Sequence, residues 1–315
     1  MKQTHQTTLR AAVSLTGIGV HSGNEVRIVL HPAEANHGIV FLRTGLQGGH
    51  DRLIDARHLA VTATELCTVL GDSESGAVAT VEHLMAVLAG LGIDNVLVEI
   101  DGPEVPILDG SCAPFVDAID QVGVMALGAS RRYLKVLKPI RVTRGRAMAE
   151  LLPNDRSFRL DVEIDFSNPV IGRQRRSVDL STSVFRREIS RARTFGFMQD
   201  VDKLWSAGFA LGASLENTIV IGEGEVVNPE GLRYADEFVR HKILDAIGDL
   251  SLAGFPLLGT YRSYCGGHRL NFSVLEALFS SRANYAIVEA APRREPAYAD
   301  LGTGVSVAAF APEIH

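Results

Sequence analysis

Two stretches of the chain carry apolar residues at helical spacing. In the stretch 80–90, TVEHLMAVLAG, Val81, Leu84 and Leu88 recur on one face, and the glycines that follow supply a stop. The stretch 236–254, DEFVRHKILDAIGDLSLAG, shows the same periodicity. The pattern predicts a long helix over each stretch.

Short strand-like runs surround these two predicted helices. Each helix is followed at once by an apolar run, and alternation of apolar and polar residues predicts further strands. The predicted strands are 25–30, 95–100, 133–137, 158–166 and 283–290. Helices and strands mix without a regular βαβ rhythm, which favours an α+β fold over a doubly wound sheet.

The length of 315 residues suits two domains better than one core. His83 and His241 each follow a valine by two residues on their predicted helices, which hints at an internal duplication, although a match this short also arises by chance. The composition of the Gly-Ala-Ser-Arg-Arg stretch 128–132 predicts a linker. We therefore predict an N-terminal domain over 1–128 and a C-terminal domain over 129–315.

Composition excludes several classes of protein. Apolar residues make up 46% and charged residues 22%, as in soluble globular proteins. No apolar run approaches the roughly 20 residues that span a bilayer, and the N-terminus lacks a signal-like apolar run, so we expect a cytoplasmic protein without a transmembrane segment. Cys67, Cys112 and Cys265 are widely spaced, so any metal is expected to be held by His and carboxylate.

The net charge of −6 hides an asymmetry along the chain. Residues 129–193 contain 16 Lys or Arg against 7 Asp or Glu, which gives this stretch +9 and the remainder −15. A local positive field attracts anionic ligands, but a solvated surface with clustered basic residues has the same composition. Aromatic residues are only 6% of the chain and do not interleave with the basic run, so nucleic acid is not an expected partner.

The second predicted helix carries ionisable residues at a spacing of four. His241, Asp245 and Asp249 form one stripe, which is commonly a solvated helix face. Phe238 and Leu252 flank this stripe and indicate that it is covered, so its charges need partners. A cation bound by His241 and Asp245 would be such a partner.

A catalytic zinc ion usually has three protein ligands and therefore needs one more than this stripe supplies. His83 lies on an otherwise apolar helix, where a lone histidine is commonly a satisfied core residue. Glu82 precedes it, and consecutive helical side chains diverge by about 100°. A glutamate in that place can stand beside a metal and deprotonate its bound water. The residues thus favour a zinc hydrolase, with a core histidine as the alternative.

Five strings then give a family resemblance. They are GVHSG (19–23), TVEHLMAVLAGLGIDN (80–95), PILDGSCAPFV (106–116), ISRARTFGF (189–197) and EFVRHKILDAIGDL (237–250). They closely resemble the UDP-3-O-acyl-N-acetylglucosamine deacetylases of lipid A biosynthesis. The matches occur in the expected order over nearly the whole chain. The resemblance implies two similar domains, each a sheet with two helices packed on one face, with the active site in the cleft between them.

The resemblance also implies roles for individual residues. His83, His241 and Asp245 match the ligands of one catalytic Zn²⁺, with Fe²⁺ as an alternative metal in the cell, and Glu82 matches the general base. His268, in GGHRLN, matches the acid that protonates the departing amine; without the family it would be a loop histidine.

Two more residues complete the implied catalytic set. Asp249, the third member of the helical stripe, is placed to pair with His268 and favour its charged form. Thr194 matches an oxyanion donor, although a threonine in a turn more often caps backbone.

The substrate-binding residues follow from the same resemblance. Phe195 matches the residue that packs against the glucosamine ring, Lys242 matches a substrate-contacting lysine, and Asp165 and Phe166 match the uracil pocket. The hydrophobic segment 197–221 matches an insert that sheathes the acyl chain, although by itself it reads as an ordinary small core.

The diphosphate end departs from the family pattern. Cys265 and Ala147 stand where many members carry lysines. Arg144, Arg146 and Arg262 lie nearby in the sequence and are expected to substitute, since arginine binds phosphate well.

The expected activity is zinc-dependent hydrolysis of the N-acetyl group of UDP-3-O-acyl-N-acetylglucosamine, with release of acetate, by a monomeric enzyme. One alternative is a zinc amidohydrolase that acts on a different N-acyl sugar. The other is a non-catalytic protein that binds an anionic glycolipid, against which Glu82 and His268 argue because binding alone requires neither residue.

Overall fold

The structure is a computed structural model that describes residues 3–46, 49–72 and 76–290. In the first half of the chain the helices are α1 (Glu82–Leu91) and α2 (Ala113–Val122). The strands there are β1 (His5–Leu9), β2 (Val13–Ile18), β3 (Glu25–Pro32), β4 (Ile39–Arg43), β5 (Arg52–Asp55), β6 (Val61–Ala63), β7 (Val69–Asp72), β8 (Gly76–Val78) and β9 (Val96–Ile100).

The second half has its own helices and strands. Its helices are α3 (Thr182–Val184), α4 (Val201–Ser206), α5 (Glu237–Ser251) and α6 (His268–Phe279). Its strands are β10 (Val124–Ser130), β11 (Arg132–Val136), β12 (Ile140–Arg144), β13 (Ala147–Leu152), β14 (Phe158–Asp165), β15 (Arg173–Asp179), β16 (Phe195–Phe197), β17 (Ile219–Ile221), β18 (Leu257–Tyr264) and β19 (Tyr285–Glu289).

The two halves repeat one strand path. The first sheet runs β2-β3-β9-β4-β5, and the second contains β12-β13-β18-β14-β15, extended by β11 and β19. In both paths the single parallel contact joins the third and fourth strands, β9 with β4 and β18 with β14. The helices occupy equivalent places, because α1 and α5 precede the central strand whereas α2 and α6 follow it. The predicted α+β fold of two similar units is thereby confirmed.

Each half also inserts a small unit between its fifth strand and its first long helix. In the first half this unit is the sheet β6-β7-β8. In the second half it is β16-α4-β17, whose two strands are parallel. These inserts reach the same region as the helices, as their contacts below show.

The core is centred where α1 packs on α5. Nearly every residue of α1 is buried, because the helix lies between its own sheet and α5. A Cβ at Gly248 of α5 would lie 1.9 Å from the carbonyl oxygen of Glu82, so the close crossing depends on glycine. Gly92, with φ of 75°, ends α1 in the left-handed conformation.

The stretch 128–132 is not the irregular linker that its composition predicts. Strands β10 and β11 include all of it except Arg131, whose backbone N–H donates to Thr4 and whose carbonyl accepts from Ala290. Pairing with distant strands therefore overrides the local Gly and Ser signal. None of the helices in the described ranges has the length and apolar character needed to cross a bilayer.

Candidate metal centre

Helices α1 and α5 bring three ligand-type side chains together. The Nε2 atoms of His83 and His241 lie 3.7 and 3.3 Å from Oδ1 of Asp245. All three residues are at most 4% exposed. Two imidazoles and one carboxylate are ligand types that suit a divalent metal ion, so these three residues form a candidate metal site.

The hydrogen bonds of this cluster fit a bound cation. Within the described residues Oδ1 of Asp245 is buried and has no hydrogen-bond partner, which is costly for a carboxylate oxygen. Nδ1 of His241 lies 3.1 Å from the Ala192 carbonyl and donates to it, which leaves the Nε2 lone pair facing Asp245. A cation among these atoms would satisfy both groups.

Electrostatics holds each group in its ligating form. Burial, reinforced by the neighbouring His241, lowers the pKa of His83 to about 3, and burial also lowers the pKa of His241. Burial opposes ionisation of Asp245, but His241 and Lys242 outweigh it and hold the pKa of this carboxyl below its usual range. Lys242 Nζ donates to Asp245 Oδ2 at 2.5 Å. Two neutral imidazoles and a carboxylate result.

A second cluster of Glu82, Asp249 and His268 lies beside the first. Nδ1 of His268 lies 2.9 Å from Asp249 Oδ2, and its Nε2 lies 3.8 Å from Glu82 Oε1. Burial raises the pKa of Glu82 to about 7, against the charge of His268. Burial disfavours a charged His268, but Asp249 and Glu82 raise its pKa to about 9. Near neutral pH this arrangement supplies a weak base beside a charged acid.

Thr68, in the loop before β7, and Asn271, on the same helix as His268, hold this second cluster in place. The Thr68 hydroxyl donates to Asp249 Oδ1 at 2.6 Å, and its backbone N–H donates to Glu82 Oε2 at 3.0 Å. Nδ2 of Asn271 donates to Asp249 Oδ2 at 2.8 Å. Sequence reasoning missed both Thr68 and Asn271, although each lies within a few residues of Cys67 or His268.

Aromatic side chains line one side of the metal cluster. The ring centre of Phe195 lies 6.1 Å from that of His241 and 5.8 Å from that of Phe166. Phe195 also packs edge-on against Phe238 of α5. The structure therefore places Phe195 beside the metal cluster and Phe166 behind it, against the Phe195 ring.

A buried ion pair positions the strand that carries Phe195. Nε of Arg193 lies 3.0 Å from Oε1 of Glu237, the first residue of α5. The next residue, Thr194, donates its backbone N–H to the Gly110 carbonyl at 2.9 Å. Thr194 and Phe195 are thus held between α5 and the PILDGS segment.

Several residues of the predicted nucleotide-binding region lie close to Asp165. Its Oδ2 accepts a 2.7 Å hydrogen bond from the Tyr264 hydroxyl and lies 3.7 Å from Nη1 of Arg146. Sγ of Cys265 lies 3.8 Å from the Asp165 carbonyl. Tyr264 was not singled out from the sequence.

The other two arginines predicted for the diphosphate are placed differently. Arg262 lies 3.7 Å from Glu150 and 3.8 Å from Asp161, so carboxylates already engage it. Arg144 and Ala147 lie at opposite ends of the β12-β13 hairpin turn, and Arg144 is exposed. Arg146 alone of the three lies at Asp165.

The insert of the second half reaches the first half. The backbone N–H groups of Leu211 and Gly212 donate to the carbonyls of His21 and Val20, in the GVHSG string. Large apolar side chains remain exposed on this insert: Met198, Trp205, Leu211 and Leu215. Four exposed apolar side chains on one short insert make it a candidate surface for binding an apolar group.

Comparison with known proteins gives one consistent result. A family model described as LpxC, UDP-3-O-acyl N-acetylglycosamine deacetylase, matches residues 6–280. UDP-3-O-acyl-N-acetylglucosamine deacetylases of Brucella ovis (strain ATCC 25840 / 63/290 / NCTC 10512) and Brucella suis biovar 1 (strain 1330) are 51% identical over 288 residues, which cover 91% of this chain and 99% of each relative. The Brucella melitensis biotype 2 protein of the same name is 50% identical over the same coverage.

Proposed function

This chain belongs to the UDP-3-O-acyl-N-acetylglycosamine deacetylase family, and we propose that it hydrolyses the N-acetyl group of UDP-3-O-acyl-N-acetylglucosamine in lipid A biosynthesis. The observation that carries the proposal is the pair of adjacent clusters, one built for a cation and one for proton transfer. Water and the amide are consumed, and acetate and the free amine are released.

His83, His241 and Asp245 would hold one divalent cation, Zn²⁺ in this proposal and Fe²⁺ as the alternative. Such an ion would lower the pKa of a bound water molecule and polarise the carbonyl of the substrate amide. Two neutral imidazoles and an ionised Asp245 with an unpartnered oxygen support this assignment.

Glu82 and His268 divide the proton transfers. Glu82, whose pKa is raised to about 7, takes a proton from the attacking water. His268, whose pKa is raised to about 9, gives a proton to the departing amine. Asp249 positions His268 through Nδ1, and the Thr194 hydroxyl donates to the oxygen that gains charge.

The remaining predicted residues bind the substrate. Phe195 packs against the glucosamine ring, Lys242 contacts the sugar, and Asp165 with Phe166 receives uracil. The exposed apolar residues of the insert 197–221 cover the acyl chain.

Arg146 meets the diphosphate in place of the missing lysines, since it is 68% exposed and lies at Asp165, whereas Arg262 is 50% exposed and lies within 3.8 Å of two carboxylates, Glu150 and Asp161. The proposal also includes two domains, over residues 1–128 and 129–315. The protein is proposed to be a monomer in the cytoplasm.

The test compares turnover of the UDP substrate with turnover of the same acylated sugar lacking UDP. We expect a clear preference for the UDP form and a higher KM, with little change in kcat, for Arg146→Ala. Cys265→Lys should lower KM, and Arg262→Ala should change it less than Arg146→Ala. Equal efficiency on both sugars would shift the proposal to an amidohydrolase for another N-acyl sugar.

A further inference from the structure

A cavity of about 630 Å³ lies behind the α1–α5 helix pair. Met85 and Ile247 line it, and each follows a metal-ligand candidate, His83 or Asp245, by two residues. Residues two apart on a helix point about 200° from each other. The cavity therefore faces away from the metal cluster and is separate from the site described above.

Its walls are largely apolar and draw on both halves of the chain. The cavity volume is in the range of small-molecule binding sites. Six partly buried apolar residues contribute to them: Ile39, Ala89, Phe158, Leu180, Val184 and Phe255. An aliphatic chain is the ligand group that such walls favour.

The charges at this cavity are unbalanced. Most basic residues of 129–193 are neutralised by ion pairs, such as Arg131 with Asp94 at 2.9 Å in the cavity wall itself. Arg57 and Arg132 also line the cavity. In the part of the chain that the structure describes, neither has a carboxylate within salt-bridge distance. The cavity thus presents cations in need of an anion.

Both guanidinium groups are held in place around one ring. Their central carbons each lie 5.1 Å from the ring centre of Phe255. Arg132 also donates to Asn36 at 2.9 Å. A Cβ at Gly254 would lie 2.0 Å from Nη1 of Arg57, so glycine makes room for that guanidinium. Guanidinium groups held beside one ring at the cavity wall are donors of the kind that bind a carboxylate.

We propose that this cavity binds a long-chain fatty acid. Arg57 and Arg132 receive its carboxylate, and the aliphatic chain lies along the apolar wall between α1, α5 and the second sheet. The proposal is independent of the deacetylase activity, since it uses no residue of the two catalytic clusters.

Calorimetric titration of the full-length protein with myristate tests it, with 1-tetradecanol as the neutral probe. We expect a saturable myristate site that persists when the insert 197–221 is altered, and at least about tenfold weaker binding of the alcohol at that site, because charged hydrogen bonds are lost. The Arg57→Leu/Arg132→Leu variant should lose about tenfold or more in myristate affinity. Arg27→Leu, at an exposed arginine outside the cavity, should bind myristate as the wild type does.

Two further variants test where the aliphatic chain of the fatty acid binds. Ala89→Phe fills the cavity from α1 and should abolish binding, whereas Leu211→Glu, in the insert of the second half, should leave it intact. Thermal melting of each variant establishes that it is folded. Absence of a saturable site in the wild type, equal affinity for the alcohol, or loss of binding only in Leu211→Glu would overturn the proposal.

Discussion

The two halves of the molecule share a strand path but contribute differently to the catalytic region. The first half supplies two adjacent residues, Glu82 and His83, from the start of α1. The second half supplies a stripe from α5, in which His241 and Asp245 join the candidate metal cluster with His83, and Asp249 joins the second cluster with Glu82 and His268. Each cluster therefore contains side chains from both halves.

The different contributions of α1 and α5 explain how two halves of similar topology form a single site. Adjacent helical side chains diverge by about 100°, so the start of α1 reaches both clusters at once. Residues four apart on α5 lie on one face, so the helix runs alongside both clusters. The α1–α5 contact, which Gly248 permits, brings the groups of these two helices together, and α6 adds His268 to the second cluster.

The largest expected effect comes from removing one proton-transfer group from each half. Glu82→Gln and His268→Ala should each lower kcat by about 10²–10⁴-fold, because a positioned acid or base contributes that much. Both variants should keep their metal, since neither residue belongs to the ligand cluster. Loss of metal, or an unchanged rate, would contradict the assignment of metal binding to one cluster and proton transfer to the other.

The pH profile sharpens the same assignment. The pKa of Glu82 is raised to about 7 and that of His268 to about 9, and the proposed mechanism needs a deprotonated Glu82 and a protonated His268. The rate should fall tenfold per pH unit well below pH 7 and again well above pH 9, as rates measured across this range will show. Glu82→Gln should flatten the acid limb, and a profile that keeps both limbs in that variant contradicts the assignment.

A smaller effect is expected at Thr68, which connects the insert of the first half to α5. Thr68→Val removes the hydrogen bond to Asp249 and should lower kcat by about tenfold, the value of one bond to a charged group. Thr62→Val removes a threonine bond in the same insert and serves as the control. Equal rates in both variants would show that Thr68 has only a structural role.

The last effect is on stability and concerns the helix crossing itself. Gly248→Ala forces a methyl group against the Glu82 carbonyl and should lower the free energy of unfolding by about 1–3 kcal/mol, despite the helix propensity of alanine. Urea unfolding measures it. Gly128→Ala, an exposed glycine of β10 with no atom within 4 Å of the added carbon, is the control and should stay within about 0.5 kcal/mol of the wild type.

The sequence predicts what local periodicity encodes. The stripe of His241, Asp245 and Asp249 and its cover by Phe238 follow from helical spacing, and the structure buries all four residues. The interpretation of 128–132 as a linker was wrong, because its strand pairing is with distant residues and leaves no local trace.

Contacts between remote segments account for the other omissions. Thr68 and Asp249 are 181 residues apart, and no spacing rule joins them. Glu104 is a second example, since its carboxylate accepts from the backbone of His21 and from the Thr80 hydroxyl. It thereby ties the GVHSG string to the segment before α1, a role visible only in three dimensions.

The most direct test of the central claim is the metal content of the wild type beside His83→Ala and Asp245→Ala, one ligand variant from each half. Equilibrium dialysis against Zn²⁺ should give one tightly bound ion per wild-type chain, and both variants should lose it together with activity, because three ligands are needed. Full metal occupancy and full activity in either variant would contradict a metal centre shared by the two halves.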